Sequence, residues 1–305
     1  HSIATPSPQQ SGMRQPNIAG VLAGHTLLIK KQKTEKRKRV VVPRGSIHGG
    51  AAQGDCLAME LSEKEIQVFA KSQLSDQTLA WAIYRSAAAT YFVAILSWSI
   101  GNMAFTKDGA YWPIYLTHWT LVVLVVYLSF AAMCTWLYGF DEKIEGKTPL
   151  LFKVTWVLQN ICLSSTMLVF LLYWMLVYTG GPVTVLSCHV HGVNWVMMLI
   201  DRFFSEQPAY FMHCYQAQLY ALVYFIWSVI QYYGQVDNGS KAGTAIYNAT
   251  DYGKDPVTNY ITFAVILTML IPGCHATMVL WGQAGEAFIA WVKGQKSLWY
   301  EDFDA

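Results

Sequence analysis

The sequence is poor in charged residues. Only 13% of its 305 residues are Asp, Glu, Lys or Arg, against roughly a quarter in an average soluble domain. Hydrophobic residues make up 54% of the chain, and long stretches carry no charged side chain. The shortage of charge excludes an ordinary soluble domain and indicates a protein that lies largely within a membrane.

Short motifs that mark the common cofactor sites are also missing. The sequence contains no G-x-x-x-x-G-K-[ST] phosphate loop, no Gly-rich dinucleotide fingerprint and no H-E-x-x-H zinc motif. Its six cysteines include no C-x-x-C pair, so we interpret them as small buried apolar residues rather than metal ligands or a disulfide framework. We therefore predict no metal site and no cofactor.

Five uncharged stretches are each at least as long as the roughly 20 residues that cross a bilayer as a helix. They are 86–106, 109–140, 154–200, 208–236 and 257–285. The third is too long for one crossing, and the turn signal Thr179-Gly180-Gly181-Pro182 divides it in two. The sequence therefore predicts an all-α, polytopic membrane protein with a six-transmembrane-helix bundle. The predicted spans lie near 83–106, 111–139, 152–178, 183–204, 209–234 and 257–283.

Residues 1–75 differ in composition from the rest of the chain. They are polar, rich in Gly, Gln, Ser and Pro, and contain the basic run KKQKTEKRKR at 30–39. Such a run is typically solvated. We predict a basic, largely irregular N-terminal tail over 1–75, a transmembrane domain over 76–290 and a C-terminal tail over 291–305. We expect the basic part of the tail to contact anionic lipid headgroups or another subunit of a membrane complex, and we expect no nucleic-acid partner.

Lys and Arg are unevenly divided between the two sides of the predicted bundle. The side shared by the N-terminal tail, the 140–153 loop and the C-terminus holds most of them. The opposite loops hold only Lys107, Lys241 and Lys254. The positive-inside rule therefore places both termini in the cytosol, or in the matrix of a mitochondrion. The two Asn-x-Ser/Thr sequons, at Asn238 and Asn248, lie on the opposite side, in agreement with this orientation.

The fourth predicted span contains an unusual polar segment, HVHGVNWVMMLIDR at 189–202. At 100° per residue, Asn194 and Asp201 fall within about 80° of His191, whereas His189 lies about 160° away. This face should point into the bundle, because unpaired polar groups in hydrocarbon are costly. Its members either fix helix packing through hydrogen bonds or form a functional site, and an ionisable residue at membrane depth favours the second interpretation for His191 with Asn194.

Thr117 lies near the start of the second span, about two turns in from the membrane side at which the fourth span also begins. His118 sits about 100° from the face that Thr117 occupies. We expect Thr117 and His191 to meet in the outer leaflet. A hydroxyl and an imidazole on one cavity suggest acyl chemistry, in which Thr117 attacks an ester carbonyl and His191 takes and returns the proton. Because backbone N–H groups inside a helix are occupied, we expect the oxyanion to need a side chain such as Asn194 or Tyr220.

The fifth span adds another polar and aromatic stripe. Its members are His213, Gln216, Tyr220, Tyr224, Trp227 and Gln231. The stripe is typical either of a cavity wall or of ordinary aromatic packing, and the spacing alone leaves both interpretations open.

Four stretches of the chain together resemble the rolling stone family of multispanning membrane proteins. They are YLTHWT at 115–120, HGVNWVMMLID at 191–201, QPAYFMHCYQAQLYALVYFIWSVIQYY at 207–233 and AIYNATDYGKDP at 245–256. The resemblance runs over about 80–285 and leaves the N-terminal tail uncovered. It implies a multi-pass membrane protein of the endoplasmic reticulum or plasma membrane.

That family is similar in turn to the androgen-induced membrane hydrolases, which cleave fatty acid esters of hydroxy fatty acids with an intramembrane Thr and His. By position, this similarity implies that Thr117 and His191 are the catalytic pair. The chain departs from the hydrolase pattern at Asn194, where those enzymes have a second His. An Asn side chain can hold a carbonyl, but it cannot move a proton at neutral pH.

Two other functions use the same residues differently. A non-catalytic accessory subunit of a large membrane complex, for example in the mitochondrial inner membrane, would explain a long basic tail, and a sequence that starts at His1 is compatible with a processed organellar protein. A haem-binding redox bundle would use His118 with His189 or His191 in one leaflet, and His213 with His275 in the other.

Overall fold

The structure is a computed structural model. It describes residues 60–61, 63–74, 78–104, 109–141, 144, 147–237, 245–247 and 250–294. Most of the predicted N-terminal tail, with its basic run, lies outside the described residues, as do the asparagines of both sequons and residues 295–305. Within the described ranges the chain is helical and contains no β-strand beyond a single bridge between Ser72 and Ser205.

Nine α-helices account for most of the described residues. In chain order they are α1 (Glu63–Val68), α2 (Thr78–Ala104), α3 (Leu116–Tyr138), α4 (Leu150–Leu172), α5 (Val185–Cys188), α6 (Asn194–Phe204), α7 (Cys214–Tyr233), α8 (Pro256–Val265) and α9 (Ile271–Val292). Short 3₁₀ turns at Gly109–Ile114 and Phe211–His213 precede α3 and α7. Three π-helical segments extend or join the α-helices: Tyr173–Val177 after α4, His189–Val193 between α5 and α6, and Ile266–Leu270 between α8 and α9.

Four helical stretches among the described residues are long and apolar enough to cross a membrane. They are Thr78–Met103, Leu116–Tyr138, Leu150–Val177 and Pro256–Val292. The predicted all-α, multi-pass membrane protein is therefore confirmed. Two further helical stretches, Val185–Phe204 and α7, occupy the positions of the fourth and fifth predicted spans. Their His, Asn, Gln and Tyr side chains make them less apolar than the other four. The predicted number of six spans therefore matches the number of long helical stretches, but only four of these are apolar enough to count as candidate spans.

The predicted break in the longest uncharged stretch is present. No helix covers Tyr178–Thr184, and Gly180 and Gly181 adopt φ angles of 97° and 109°. Only glycine adopts such angles readily, because a Cβ atom would clash with the backbone. The two glycines therefore end one membrane segment and allow the chain to return in the next.

Both ends of the described chain meet at one end of the bundle. The Nζ atom of Lys293, after α9, donates to the backbone oxygen of Gln73, ahead of α2, at 2.6 Å. The segment before α2 also pairs with the connection after α6, since the backbone N–H of Gln73 donates to Phe204 O at 2.8 Å. Gln73 and Lys293 therefore lie at the same end of the helical bundle.

A buried polar network lies at this end of the bundle. Arg85 of α2 and Asp201 of α6 are both 0% exposed, and their Nε and Oδ1 atoms are 3.5 Å apart. The Tyr127 hydroxyl of α3 lies 2.5 Å from the other Asp201 oxygen and 2.9 Å from Gln207 Oε1. Arg85 also donates to Gln207 Oε1 at 3.2 Å. The network ties three helices together inside the bundle, where its groups are buried, so each group depends on the others for solvation.

The packing of α9 against α6 depends on a glycine. A Cβ atom added at Gly285 would lie 2.6 Å from the backbone oxygen of Phe203, whereas one added at Gly273, on the same helix, would meet nothing within 4 Å. We therefore expect Gly285→Ala to destabilise the protein by about 1–3 kcal/mol and to lower its melting temperature in detergent. Gly273→Ala is the matched control, and it should leave the melting temperature unchanged or raise it. An equal response of the two variants would show that helix propensity, and not the close contact, decides the effect.

Candidate functional site

A partly open cavity of about 570 Å³ lies at the end of the bundle opposite Gln73 and Lys293. Its walls are the first turn of α3, the end of α4 with the π-segment after it, and the middle parts of α7 and α8. Residues of the 245–252 loop close one side. The volume falls within the range of roughly 300–1,000 Å³ that small-molecule sites usually have.

The cavity has a polar part and an apolar part. Hydroxyl and imidazole groups line it near the loops, whereas Leu168, Leu172 and Ile266 line it deeper in the bundle. Leu176 and Val177 also line it, although they are 63% and 42% exposed. The cavity therefore reaches the outer surface of the bundle at these two residues, at the end of the apolar stretch Leu150–Val177.

Thr117 and His191 both line this cavity. Thr117 is 9% exposed and is the second residue of α3. A Thr in the middle of a membrane helix usually bonds back to the carbonyl one turn earlier. Thr117 instead follows the 3₁₀ turn at Gly109–Ile114, and its side chain bonds that of Tyr247. Its hydroxyl therefore lies at the cavity wall.

His191 is held in a fixed orientation. Its ring stacks on the ring of Tyr173, with centroids 3.5 Å apart and an interplanar angle of 8°. Its Nδ1 atom lies 3.0 Å from the backbone oxygen of Ser187 and 3.1 Å from the Ser187 hydroxyl, which in turn lies 2.8 Å from the Tyr173 hydroxyl. A carbonyl oxygen can only accept a hydrogen bond, so Nδ1 carries the proton in the neutral ring. The Nε2 atom then presents a lone pair, as a general base requires.

His189 faces a different part of the bundle. Its ring lies 5.9 Å from Tyr91 and 6.3 Å from Trp98, both on α2. Its Nδ1 atom lies 2.6 Å from Val185 O, and the ring is not part of the cavity wall. His189 therefore provides a natural control for any experiment on His191.

His118 also lines the cavity, next to Thr117. Its Nδ1 atom lies 2.5 Å from Trp112 O, and its ring stacks on Trp112 with centroids 4.4 Å apart and an angle of 3°. The periodicity of the second span predicts that His118 lies on a different face of the helix, about 100° from Thr117. The cavity contacts both faces, and this width depends on how the surrounding helices are arranged.

Tyr247 brings a hydroxyl from the 245–252 loop into the same cavity. It lies beside Thr117 and Tyr224, and its ring packs edge-on against Tyr115 with centroids 6.1 Å apart. Burial raises the pKa of Tyr247 to about 12, although contact with Tyr224 opposes this change. The phenol therefore keeps its proton at neutral pH and is a hydrogen-bond donor. No sequence signal distinguished it from the other loop tyrosines.

Asn194 and Tyr220, predicted from the sequence as oxyanion contacts, are not among the residues that line the cavity. Asn194 is fully buried, its Nδ2 atom donates to Val190 O at 2.8 Å, and its Oδ1 atom accepts the Trp195 N–H at 2.7 Å. The Tyr220 hydroxyl lies 3.1 Å from the Thr120 hydroxyl. The structure therefore brings Thr117 and His191 to one cavity but does not bring Asn194 and Tyr220 there, and the roles of all four stay predictions.

The π-helical segments explain part of this placement. His191 and Asn194 were placed on one face by assuming 100° per residue, but residues 189–193 form a π-helix, which has more residues per turn. Each residue therefore turns the helix by less than 100°, and Asn194 is rotated away from the face of His191. All three π-segments contribute residues to the cavity wall. Such interruptions are frequent at functional sites.

The two histidines proposed for a second haem are engaged by protein groups. His275 is fully buried, with its Nδ1 atom 3.0 Å from Ser164 Oγ and its Nε2 atom 3.1 Å from Tyr210 O. Neither ring nitrogen is available to an iron ion in this arrangement. His213 lies 3.4 Å from Asn160 Nδ2. These contacts are typical of hydrogen bonds that fix helix packing.

Comparison with known proteins gives a distant similarity to one curated protein. No protein-family model matches the sequence, and no solved structure matches it. The chain is 23% identical over 181 residues to Protein rolling stone of Drosophila melanogaster. The match covers 54% of this chain and 65% of the fly protein, so it spans just under two thirds of that relative. This similarity confirms the resemblance predicted from the motifs. The chain is a distant, rolling-stone-like integral membrane protein.

Proposed function

We propose that the protein is an intramembrane lipid-ester hydrolase in which Thr117 is the nucleophile and His191 is the general base. The observation that supports this proposal is that both residues line one cavity, which also reaches the outer surface of the bundle at the exposed apolar residues Leu176 and Val177. The apolar part of the cavity suits an acyl chain, and the polar part suits the ester group. The rolling-stone-like character of the chain agrees with a multi-pass enzyme whose substrate and surroundings are membrane lipids.

The reaction proceeds in two halves. The Thr117 oxygen forms a bond to the ester carbonyl carbon while its proton moves to His191 Nε2, and the tetrahedral intermediate then expels the alcohol, which takes that proton. A water molecule next attacks the acyl-enzyme, and it gives its proton to His191 as its oxygen bonds the carbonyl carbon. Thr117 leaves with a proton returned by His191, and a carboxylic acid is released. The Nδ1–H bond to Ser187 O keeps the imidazole in the tautomer that both halves need.

The two histidines of the HVH segment provide the test of this proposal. His191→Ala is expected to lower the turnover of an acyl-ester substrate in lipid nanodiscs by at least about 10²-fold, because it removes the base. His189→Ala removes an imidazole of the same span that lies away from the cavity, and it should retain activity within about threefold of the unchanged protein. Turnover would be measured as release of free fatty acid. Equal activity of the two variants would show that His191 has no catalytic role.

A further inference from the structure

The second half of the proposed reaction depends on a water molecule that attacks the acyl group on Thr117. A base removes one hydrogen of this water, but a base alone does not fix the direction of the attacking oxygen. The rate depends strongly on that direction, since a misplacement of about 1 Å can lower it by about 10²-fold. A second hydrogen-bond acceptor in the cavity would hold the other hydrogen and so orient the water.

His118 is held in the same way as His191. Its ring stacks on Trp112 at 4.4 Å and 3°, as the His191 ring stacks on Tyr173 at 3.5 Å and 8°. Its Nδ1 atom lies 2.5 Å from Trp112 O, and that of His191 lies 3.0 Å from Ser187 O. Because a carbonyl oxygen can only accept a hydrogen bond, each neutral ring carries its proton on Nδ1 and has a lone pair on Nε2. The two imidazoles therefore have the same tautomer.

The Nε2 atoms of both rings are available to a molecule in the cavity. Both rings line the cavity and are half-buried. Within the part of the chain that the structure describes, neither Nε2 atom has a hydrogen-bond partner, whereas each Nδ1 atom has one. The rings also lie near enough to each other for a positive charge on His118 to oppose one on His191. The cavity wall thus presents two neighbouring acceptors.

The position of His118 relates it to the nucleophile. It follows Thr117 directly in the first turn of α3, and both residues line the cavity. The hydroxyl groups nearby are already engaged, since Tyr247 bonds the Thr117 side chain and Tyr224 donates to Ile114 O at 3.0 Å. His118 is therefore the neighbour of Thr117 that has an acceptor to offer.

We infer that His118 and His191 hold the hydrolytic water by its two hydrogens, with its oxygen directed at the acyl group on Thr117. The water oxygen forms a bond to the carbonyl carbon, one hydrogen passes as a proton to His191 Nε2, and the electron pair of the double bond moves onto the carbonyl oxygen. The second hydrogen stays on the attacking oxygen, bonded to His118 Nε2, and becomes the O–H of the released acid. As the electron pair returns, the bond to Thr117 Oγ breaks and Oγ takes the proton from His191.

His118 is therefore a catalytic residue of the second half only, because no water takes part in the first half. This inference rests on the proposed function. It predicts that loss of the His118 acceptor leaves the formation of the acyl-enzyme intact and slows its hydrolysis.

The test is His118→Phe, which keeps a ring against Trp112 and removes the acceptor. With para-nitrophenyl decanoate in lipid nanodiscs, the initial burst of nitrophenolate measures acylation and the steady rate measures turnover of the acyl-enzyme. We expect the burst rate to change by less than about threefold and the steady rate to fall by about 10²-fold. Mass spectrometry should find the acyl group accumulated on Thr117. His189→Phe makes the same exchange at an imidazole outside the cavity and should leave both rates within about threefold.

A second variant, His118→Gln, distinguishes the acceptor from the ring. Its amide oxygen accepts a hydrogen bond, but the stacked ring is lost. We expect its steady rate to stay within about tenfold of the unchanged protein and above that of His118→Phe. A slower rate than that of His118→Phe would show that ring packing matters and would overturn the inference. If His118→Phe does not fold, a steady rate of His118→Gln lowered by more than about tenfold overturns it.

Failure of this inference and failure of the proposed function give different results. If His118→Phe slows the burst and the steady rate equally, or slows neither, His118 does not hold the water and the inference is wrong. The hydrolase proposal then stands, provided that Thr117→Ala abolishes both rates. If the unchanged protein shows neither a burst nor steady turnover, the hydrolase proposal is wrong and the inference fails with it.

Discussion

Thr117→Ala is expected to lower ester turnover by at least about 10³-fold, because no other atom takes the place of the attacking oxygen. The substitution removes a hydroxyl and a methyl group at the wall of an existing cavity, so the fold should tolerate it. Fatty acid release in nanodiscs measures the first effect, and the melting temperature measures the second. Thr117→Ser keeps the nucleophile and should retain a substantial part of the activity.

The control for this experiment lies one turn further along the same helix. Thr120 is fully buried and its hydroxyl lies 3.1 Å from Tyr220, but it does not line the cavity. Thr120→Ala should therefore cost stability, by about 1–3 kcal/mol for the hydroxyl left unpaired, and should spare turnover per folded molecule. If Thr120→Ala and Thr117→Ala lost activity to the same extent, the effect of Thr117 would be structural and the hydrolase proposal would fail.

Breaking the ion pair between Arg85 and Asp201 is expected to have the largest effect on stability. Arg85→Met leaves the Asp201 carboxylate fully buried without its cation, and removal of one partner of a buried pair typically costs about 3–5 kcal/mol. Tyr127 would still bond the carboxylate, but a neutral hydroxyl cannot balance its charge. The melting temperature in detergent should fall accordingly, together with the yield of folded protein.

A second substitution distinguishes the charge from the packing. In Arg85→Met with Asp201→Asn, no charge of the pair remains, so the double variant should be more stable than Arg85→Met alone. The comparison is a double-mutant cycle, in which the coupling between the two positions is read directly. Additive losses in the cycle would show that Arg85 and Asp201 contribute independently and that the pair is not the reason for the instability.

The sequence predicts the membrane class and the main helices well, because both depend on local composition. Uncharged stretches locate the apolar segments, and the two glycines at 180–181 locate the break between them. The wheel also places Thr120, Leu121 and Leu124 on the face of α3 that is buried in the structure. These predictions succeed because burial in a bilayer acts on each residue nearly independently of the others.

The composition of the site is less accessible from the sequence. Nothing local marks 189–193 as a π-helix, so a constant 100° per residue misplaced Asn194 relative to His191. Tyr247 reaches the cavity from a loop, where no periodicity exists to predict its direction. Arg85 directly precedes the uncharged stretch 86–106, and only the packing of α2 against α3 and α6 shows that it is fully buried and paired. In each case the decisive contact joins residues far apart in the chain.

The π-helix at 189–193 changes the rotation of one half of a membrane segment relative to the other half about the helix axis. His191, which lines the cavity, lies within it, and Asp201, which pairs with Arg85, lies beyond it. Removing one residue, for example Gly192, would restore a regular α-helix and turn one half against the other by about 100°. Either the imidazole would leave the cavity or the carboxylate would leave its cation. The extra residue therefore lets a single segment satisfy two angular requirements that a regular helix could not meet together.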